Sequence, residues 1–369
     1  MDLSLTEPQE MLKKMARDFL TEKCPKTLVR EMEEDDKGYK PELWKDMADL
    51  GWLGLVLPEE YGGTGGNFLD LAVLLEEMGR ALLPSPFMDT MISSLIILEA
   101  ANKDQKHKLL PQIADGKFIF TTAWIQPGTD YDVVSQLKGT PQGDNYILNG
   151  SKLFVNFANV ADYIIAQVNT GDETFTLFLV DAKSTGLKLN PLSSIAKDKQ
   201  FEVKFDNVSI PQENILGEIN KGQTYLDKIL PEVLLAKSME MIGGAQQTVE
   251  MSTDYAKQRV QFNQPIGAFQ AIQHHIANMA VDLDSSRFMT YKAIWMLDAG
   301  LPCTKQAFMT KSWVSDAYRR IVVLGKQIHG GYGVINEYDM QLYFRRQKRD
   351  ELFLGDSDFY REKIAQMIL

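Results

Sequence analysis

The sequence predicts an α+β protein in three consecutive parts: an N-terminal all-α domain, a small central β domain and a C-terminal four-helix bundle. Three observations carry that expectation. Apolar residues recur at helical spacing through residues 1–117. From 118 to 216 the pattern shortens to runs rich in aromatic and β-branched residues. From 217 to 369 long helical patterns return with short connections, as an antiparallel bundle requires.

Taken in order, Thr6 can cap a first helix over 7–19, with Pro8 at an early helical position. Residues 40–50 and 68–83 are helical by spacing, and the glycine-rich PEEYGGTGGN between them (58–67) is a loop. One helix is expected over 95–114. Strands are expected at 118–125, 146–155, 161–168, 174–180 and 201–208, with Asn149-Gly150 as a hairpin turn. Helices follow at 223–259, 268–299, 302–328 and 337–352, then a last one from 357, with Gly330-Gly331 closing the third.

The composition, 44% hydrophobic and 24% charged, is that of an ordinary globular chain of 369 residues. A net charge of −11 argues against nucleic acid and anionic membranes as partners. The basic run Arg345, Arg346, Lys348 and Arg349 is expected to be a solvated helix face. Cys24 and Cys303 lie far apart without metal-ligand spacing, which suits a reducing cytoplasm. His274 and His275 share a helix and are expected in a core or interface, since no second ligand pair at zinc spacing accompanies them. The N-terminus lacks the pattern of a signal peptide, and no apolar run approaches the length of a membrane span. A cytoplasmic location is therefore expected.

The stretch RVQFNQPIGAFQAIQHH (259–275) is the most informative in the chain. An arginine, a ring and two amides gather where one long helix ends and another begins. Guanidinium grips phosphate oxygens in a bidentate fork, so the turn suits a nucleotide. A surface arginine at a bundle turn is the plain alternative.

Further motifs occur in a telling order: Pro58-Glu59-Glu60-Tyr61-Gly62-Gly63, Asn149-Gly150-Ser151-Lys152, Asp206-Asn207-Val208, Arg259 to Gln270, and Gln327-Ile328-His329-Gly330-Gly331. Together they resemble the acyl-CoA dehydrogenase family over essentially the whole chain. The resemblance implies FAD bound between subunits of a tetramer, an acyl-CoA substrate, and electron-transfer flavoprotein as electron acceptor. It implies Arg259 on the pyrophosphate, Gln261, Phe262 and Gln270 beside it, and Gln327, Gly330 and Gly331 lining the rest. Bare glycine backbone would let the cofactor approach closely.

Other positions depart from the family. Its Thr-Glu-Pro-Gly-x-Gly-Ser reads Ile125-Gln126-Pro127-Gly128-Thr129-Asp130-Tyr131 here, and its Trp-x-Thr reads Phe154-Val155-Asn156. The catalytic Glu-Gly-Thr aligns with Leu354-Gly355-Asp356, and leucine accepts no proton. A carboxylate at Asp356 would repel a pyrophosphate. The family's alternative base position falls at Val233, followed by Leu234.

One half of the FAD site is thus kept and the other lost. That pattern resembles the base-lacking subunit of heterotetrameric bacterial acyl-CoA dehydrogenases, which would lend the adenine and pyrophosphate half to a catalytic partner. The alternatives are a self-sufficient homotetramer with an unorthodox base at Asp89, Glu232 or Asp356, and a non-enzymatic CoA- or protein-binding module. The plainer roles are a helix-start aspartate for Asp89, a helix cap for Asp356, an inter-helix or solvent contact for Glu240 and packing near the corner for His329.

Overall fold

The computed structural model describes residues 4–128, 135–171 and 174–369. The N-terminal part holds α1 (Glu7–Lys23), α2 (Lys26–Glu34), α3 (Pro41–Asp49), α4 (Phe68–Ala81), α5 (Phe87–Ala100) and α6 (Lys103–Ala114). Thr6 precedes α1, Pro8 lies in its first turn, and the Thr6 N–H donates to Gln9 Oε1 at 3.0 Å. The single helix expected over 95–114 is instead two. Asn102 breaks it by capping α6: its side chain accepts from the Gln105 N–H, and Gln105 bonds back to the Asn102 N–H.

The β part is one mixed sheet of β1 (Phe120–Ala123), β2 (Lys138–Gln142), β3 (Asn145–Asn156), β4 (Tyr163–Gly171), β5 (Thr174–Asp181), β6 (Leu187–Leu192), β7 (Gln200–Pro211) and β8 (Ile215–Leu216). The strand order is β6-β7-β3-β2-β4-β5-β8, with β1 parallel to β4. Alternate residues such as Leu148, Ile164, Phe178, Val203 and Phe205 fill its core.

Asn149-Gly150 is not a hairpin turn. It sits inside β3 at a bulge against β7, and the β2–β3 turn falls at Gly143-Asp144. Gly150 has φ +142°, and a Cβ there would meet the Leu137 Cα at 3.0 Å. The glycine therefore serves a bulge and a close strand approach. Asn149 bonds across to Asn207 at 2.9 and 3.2 Å, pinning that bulge.

The C-terminal part contains α7 (Gly222–Gln258), a small ribbon of β9 (Val260–Gln261) and β10 (Gln264–Pro265), α8 (Gln270–Asp298), α9 (Thr304–His329), α10 (Met340–Leu352) and α11 (Ser357–Ile368). Gly330 ends α9 with φ +58°.

By packing, the chain forms two compact units that cut across this linear order. One comprises Met1–Val29, Asn67–Leu83 and Pro231–Leu369; the other comprises Arg30–Gly66 and Pro84–Leu230. In the first unit α4 crosses α7 closely. A Cβ on Gly79 would meet the Glu240 carbonyl oxygen at 1.8 Å, and one on Gly243 would meet that of Glu76 at 1.8 Å. Only glycine permits this backbone separation. Beside the crossing, buried Glu76 accepts from Lys13 (3.2 Å), Arg287 (3.0 Å) and Tyr291 (3.2 Å). Arg17 holds Glu77 through two bonds of 2.9 and 2.8 Å.

The basic run of α10 is not a solvated face. Its four residues are half-buried, with Lys348 paired to Glu351 (3.0 Å) and Arg349 to Asp350 (2.5 Å). Cys24 and Cys303 are free and buried. No helix among the described residues is long and apolar enough to cross a membrane.

Candidate functional site

A cavity of about 570 Å³ opens where α7 ends and α9 gives way to its glycine pair. Tyr255, Arg259, Gln261, Ile266, Ile328, His329, Gly330, Gly331, Tyr332 and Ile335 line it. The β9–β10 ribbon builds one wall. Its pairing of Gln264 with Gln261 and Pro265 with Val260 turns the chain sharply after Arg259. The other wall is the end of α9, which Gly330 stops at φ +58° and ψ −132°.

Several polar side chains here have no side-chain partner among the described residues. Arg259 is exposed, and its guanidinium has no side-chain partner among the described residues. The same holds for the amides of Gln261, Gln270 and Gln327. A Cβ on Gly330 or Gly331 would meet nothing within 4 Å. His329 is 2% exposed; its Nδ1 donates to the Gly325 carbonyl at 2.7 Å, and its Nε2 has no partner among the described residues. Burial pushes the His329 pKa down, so the ring stays neutral, stacked on Tyr255 at 4.4 Å. An unpaired cation beside bare backbone and an orphaned acceptor suits an anionic, nitrogen-rich ligand such as the phosphate-linked tail of a dinucleotide.

Of the residues singled out from sequence, Arg259, Gln261, Gly330 and Gly331 share this cavity. Phe262, Gln270 and Gln327 do not line it. Phe262 is 88% exposed with φ +52° and meets the edge of Phe269 at 6.1 Å. Tyr255, Ile266, Ile328, Tyr332 and Ile335 were missed. Tyr255 lies one helical turn before Arg259 and could have been found by that spacing.

The base positions have a different character. Val233 and Leu234 are fully buried apolar residues of α7. Leu354 stands in the α10–α11 turn with φ +51°, a left-handed conformation that costs roughly 1–2 kcal/mol for a side chain with a Cβ. Asp356 caps α11 by accepting from the Phe359 N–H at 2.9 Å. Glu240 pairs with Lys237 at 2.5 Å and lies 3.7 Å from Arg349, an inter-helix contact. Glu232 is half-buried in the first full turn of α7 after Pro231.

Asp89 belongs to the other compact unit. It is 6% exposed and accepts from Asn156 Nδ2 at 3.1 Å, while Asn156 Oδ1 accepts from Gln200 Nε2 at 3.1 Å. The side chain of Asn156 is therefore occupied at both ends within the unit. Phe154, two residues earlier, is 49% exposed with φ +55°. Ile125 bridges to Leu153, and Gln126 is buried, accepting from the Gln136 N–H at 2.5 Å. Thr129, Asp130 and Tyr131 lie outside the described residues.

The sequence matches the acyl-CoA dehydrogenase N-terminal domain over 6–117, the middle domain over 122–208 and the C-terminal domain over 220–369. A 3-(aryl)acrylate reductase of Clostridium sporogenes is 31% identical, the alignment covering 99% of each chain. The chain belongs to the acyl-CoA dehydrogenase family. It is an oxidoreductase of that family, whose cofactor is FAD. The caffeyl-CoA reductase–Etf complex subunit CarC of Acetobacterium woodii is 30% identical over 99% of each chain. A variant of the Tcur3481–Tcur3483 steroid ACAD superposes with a TM-score of 0.89 at 29% identity, covering 98% of each chain. The corner residues fit the nucleotide tail of FAD on the observations above: a free guanidinium, open glycines and an orphaned nitrogen.

Proposed function

We propose that this chain is the subunit of an FAD-dependent acyl-CoA dehydrogenase complex that lends the adenine and pyrophosphate half of an FAD site to a catalytic partner. One observation carries the reading. The corner around Arg259 is open and several of its polar side chains have no side-chain partner among the described residues, whereas both family base positions, Leu354 and Val233, are apolar. Bound FAD supplies a hydride acceptor. On this reading Arg259 holds the pyrophosphate in a two-pronged grip, and Gln261, Gln270 and Gln327 offer amides to the rest of the tail. Gly330 and Gly331 keep the approach clear of side chains. The proton at the acyl-CoA Cα is handled by a carboxylate of the partner.

Two relatives support the assembly. CarC is named as a subunit of a complex with Etf, and the steroid ACAD carries two joined designations, Tcur3481 and Tcur3483. By that likeness we assign a heterotetramer with a catalytic subunit and electron-transfer flavoprotein as the redox partner.

A second reading has one observation in its favour. The buried carboxylate of Asp89 touches Asn156, in the stretch that aligns with the family's Trp-x-Thr. A homotetramer using Asp89 as base follows from it.

Weighing flavin absorbance against protein mass separates the readings. The half-site subunit, purified alone, carries little FAD and reaches one FAD per heterodimer when co-expressed with its partner. A full complement of one FAD per chain in a homotetramer rejects it. In that case Asp89→Asn should abolish turnover with FAD still bound.

A further inference from the structure

The α10–α11 turn carries no acid at position 354, yet it is held from several sides. Lys311, in the middle of α9, is fully buried. Its Nζ donates to the carbonyls of Glu351 (3.1 Å) and Gly355 (3.0 Å) and bonds Ser315 Oγ at 3.0 Å. Tyr360 donates its hydroxyl to the Leu354 carbonyl at 2.5 Å. Ser312 and Ser357 exchange hydroxyl-to-carbonyl bonds of 3.1 and 3.2 Å. Left to itself, a leucine followed by a glycine at φ +111° has no reason to keep a left-handed conformation.

We propose that Lys311 is a positioning residue: by bridging the carbonyls of Glu351 and Gly355 it fixes the backbone between them and so the direction in which residue 354 is presented. The inference concerns the isolated chain and does not depend on the half-site reading.

Geometry and charge agree on how the bridge works. An ammonium has three donors, and Lys311 meets three acceptors, none of them a carboxylate. Asp350 and Glu351 of α10, Lys237 of α7, Asp356 of the turn and the Tyr360 ring of α11 (6.0 Å) surround it. Burial, assisted by the Lys237 charge, pulls its pKa down to about 7. The neutral amine has two donors and one lone pair. The Ser315 hydroxyl can then turn and donate to that lone pair, so both carbonyl bonds survive the loss of the proton. The bridge therefore weakens near neutrality, as charge assistance is lost, without breaking.

The test is an NMR titration of the full chain carrying ¹⁵Nζ-lysine and ¹³C-carbonyl labels at Glu351 and Gly355. The Lys311 Nζ signal should titrate near neutrality, and both carbonyl shifts should move with the same midpoint. A lysine that merely fills space would leave those carbonyls still. Lys311→Met should then raise hydrogen exchange of amides 353–357 by about tenfold or more, leaving the centre of α9 protected. Lys311→Arg, which keeps a donor to the carbonyls, should restore part of that protection. The proposal is overturned if the carbonyl shifts ignore the Lys311 titration. It is also overturned if Lys311→Met folds and leaves exchange in the turn unchanged. Because the titration uses the unaltered sequence, a variant that fails to fold does not remove the test.

Discussion

Two places in the first compact unit are made of the same ingredients, a pair of glycines with arginine nearby. At the α4–α7 crossing, Gly79 and Gly243 are filled by opposing carbonyls, and Arg17 and Arg287 are tied to Glu77 and Glu76. At the corner between α7 and α8, Gly330 and Gly331 face empty space, and Arg259 has no side-chain partner among the described residues. The residue types are alike, but the commitment of their atoms is opposite. A crossing that has used its polar groups internally can only hold the fold. A corner that has kept them free can only be completed by something from outside.

The sharpest way to break this contrast is Glu76→Ala. It takes the shared acceptor from Lys13, Arg287 and Tyr291, leaving Arg287 with Gln246 and Asp284, and breaking such a buried pair costs about 3–5 kcal/mol. Urea unfolding should show that loss, and a change under about 1 kcal/mol would mean the crossing is not the closed structure described. Gly243→Ala comes next. Its methyl collides with the Glu76 carbonyl, and overpacking of this kind costs about 1–3 kcal/mol. Gly331→Ala at the corner should leave the unfolding midpoint unchanged, because its methyl meets nothing.

Arg259→Ala reverses the pattern. Stability should stay within about 0.5 kcal/mol, as for an unpaired surface residue. Affinity of the assembled complex for FAD should fall about ten- to a hundredfold, matching one charge-assisted contact of about 1.5–3 kcal/mol. Fluorescence titration with FAD measures this, and unchanged affinity would detach Arg259 from the cofactor.

The smallest effect expected is a pH dependence. Burial alone would raise the Glu76 carboxyl, but Lys13 and Arg287 outweigh it and hold its pKa below the ordinary value. The unfolded chain therefore binds the proton first. This contribution is complete above the ordinary glutamate pKa and is lost as pH falls below it through the lowered, folded value. Glu76→Gln should flatten the acid limb of the stability curve, whereas Arg259→Ala should leave it as it is.

The three-part order of helix, sheet and helix was legible because its long segments repeat apolar residues at a steady period. Strand β2, Lys138–Gln142, was not legible: its residues are mostly solvent-facing and polar, so no alternation marks it. The break between α5 and α6 lies where the polar run 102–108 interrupts the apolar pattern, and its signal, Asn102 followed three residues later by Gln105, is a capping box that a reading of helical spacing alone passes over. Arg259 and Gln261 could be read because the corner is local in sequence. The Asp89–Asn156 bond spans 67 residues and the Lys311–Gly355 bond 44. No spacing rule in a single sequence reaches those distances, and only the packed chain brings such groups together.

The first compact unit is discontinuous, and that has a consequence for its birth. Helices α1 and α4 leave the ribosome long before Pro231 and the segments that complete their unit. At about 5–20 residues per second, the wait of Glu76 for Tyr291 amounts to roughly ten to forty seconds. For that interval the apolar face of α4 and the carboxylate of Glu76 are without Arg287, Tyr291 and the glycine face of α7. The intervening unit, Arg30–Gly66 with Pro84–Leu230, has its whole sequence available first. Nascent chains stalled before residue 231 should therefore recruit holdase chaperones to the 67–83 segment, and full chains released after 369 should not.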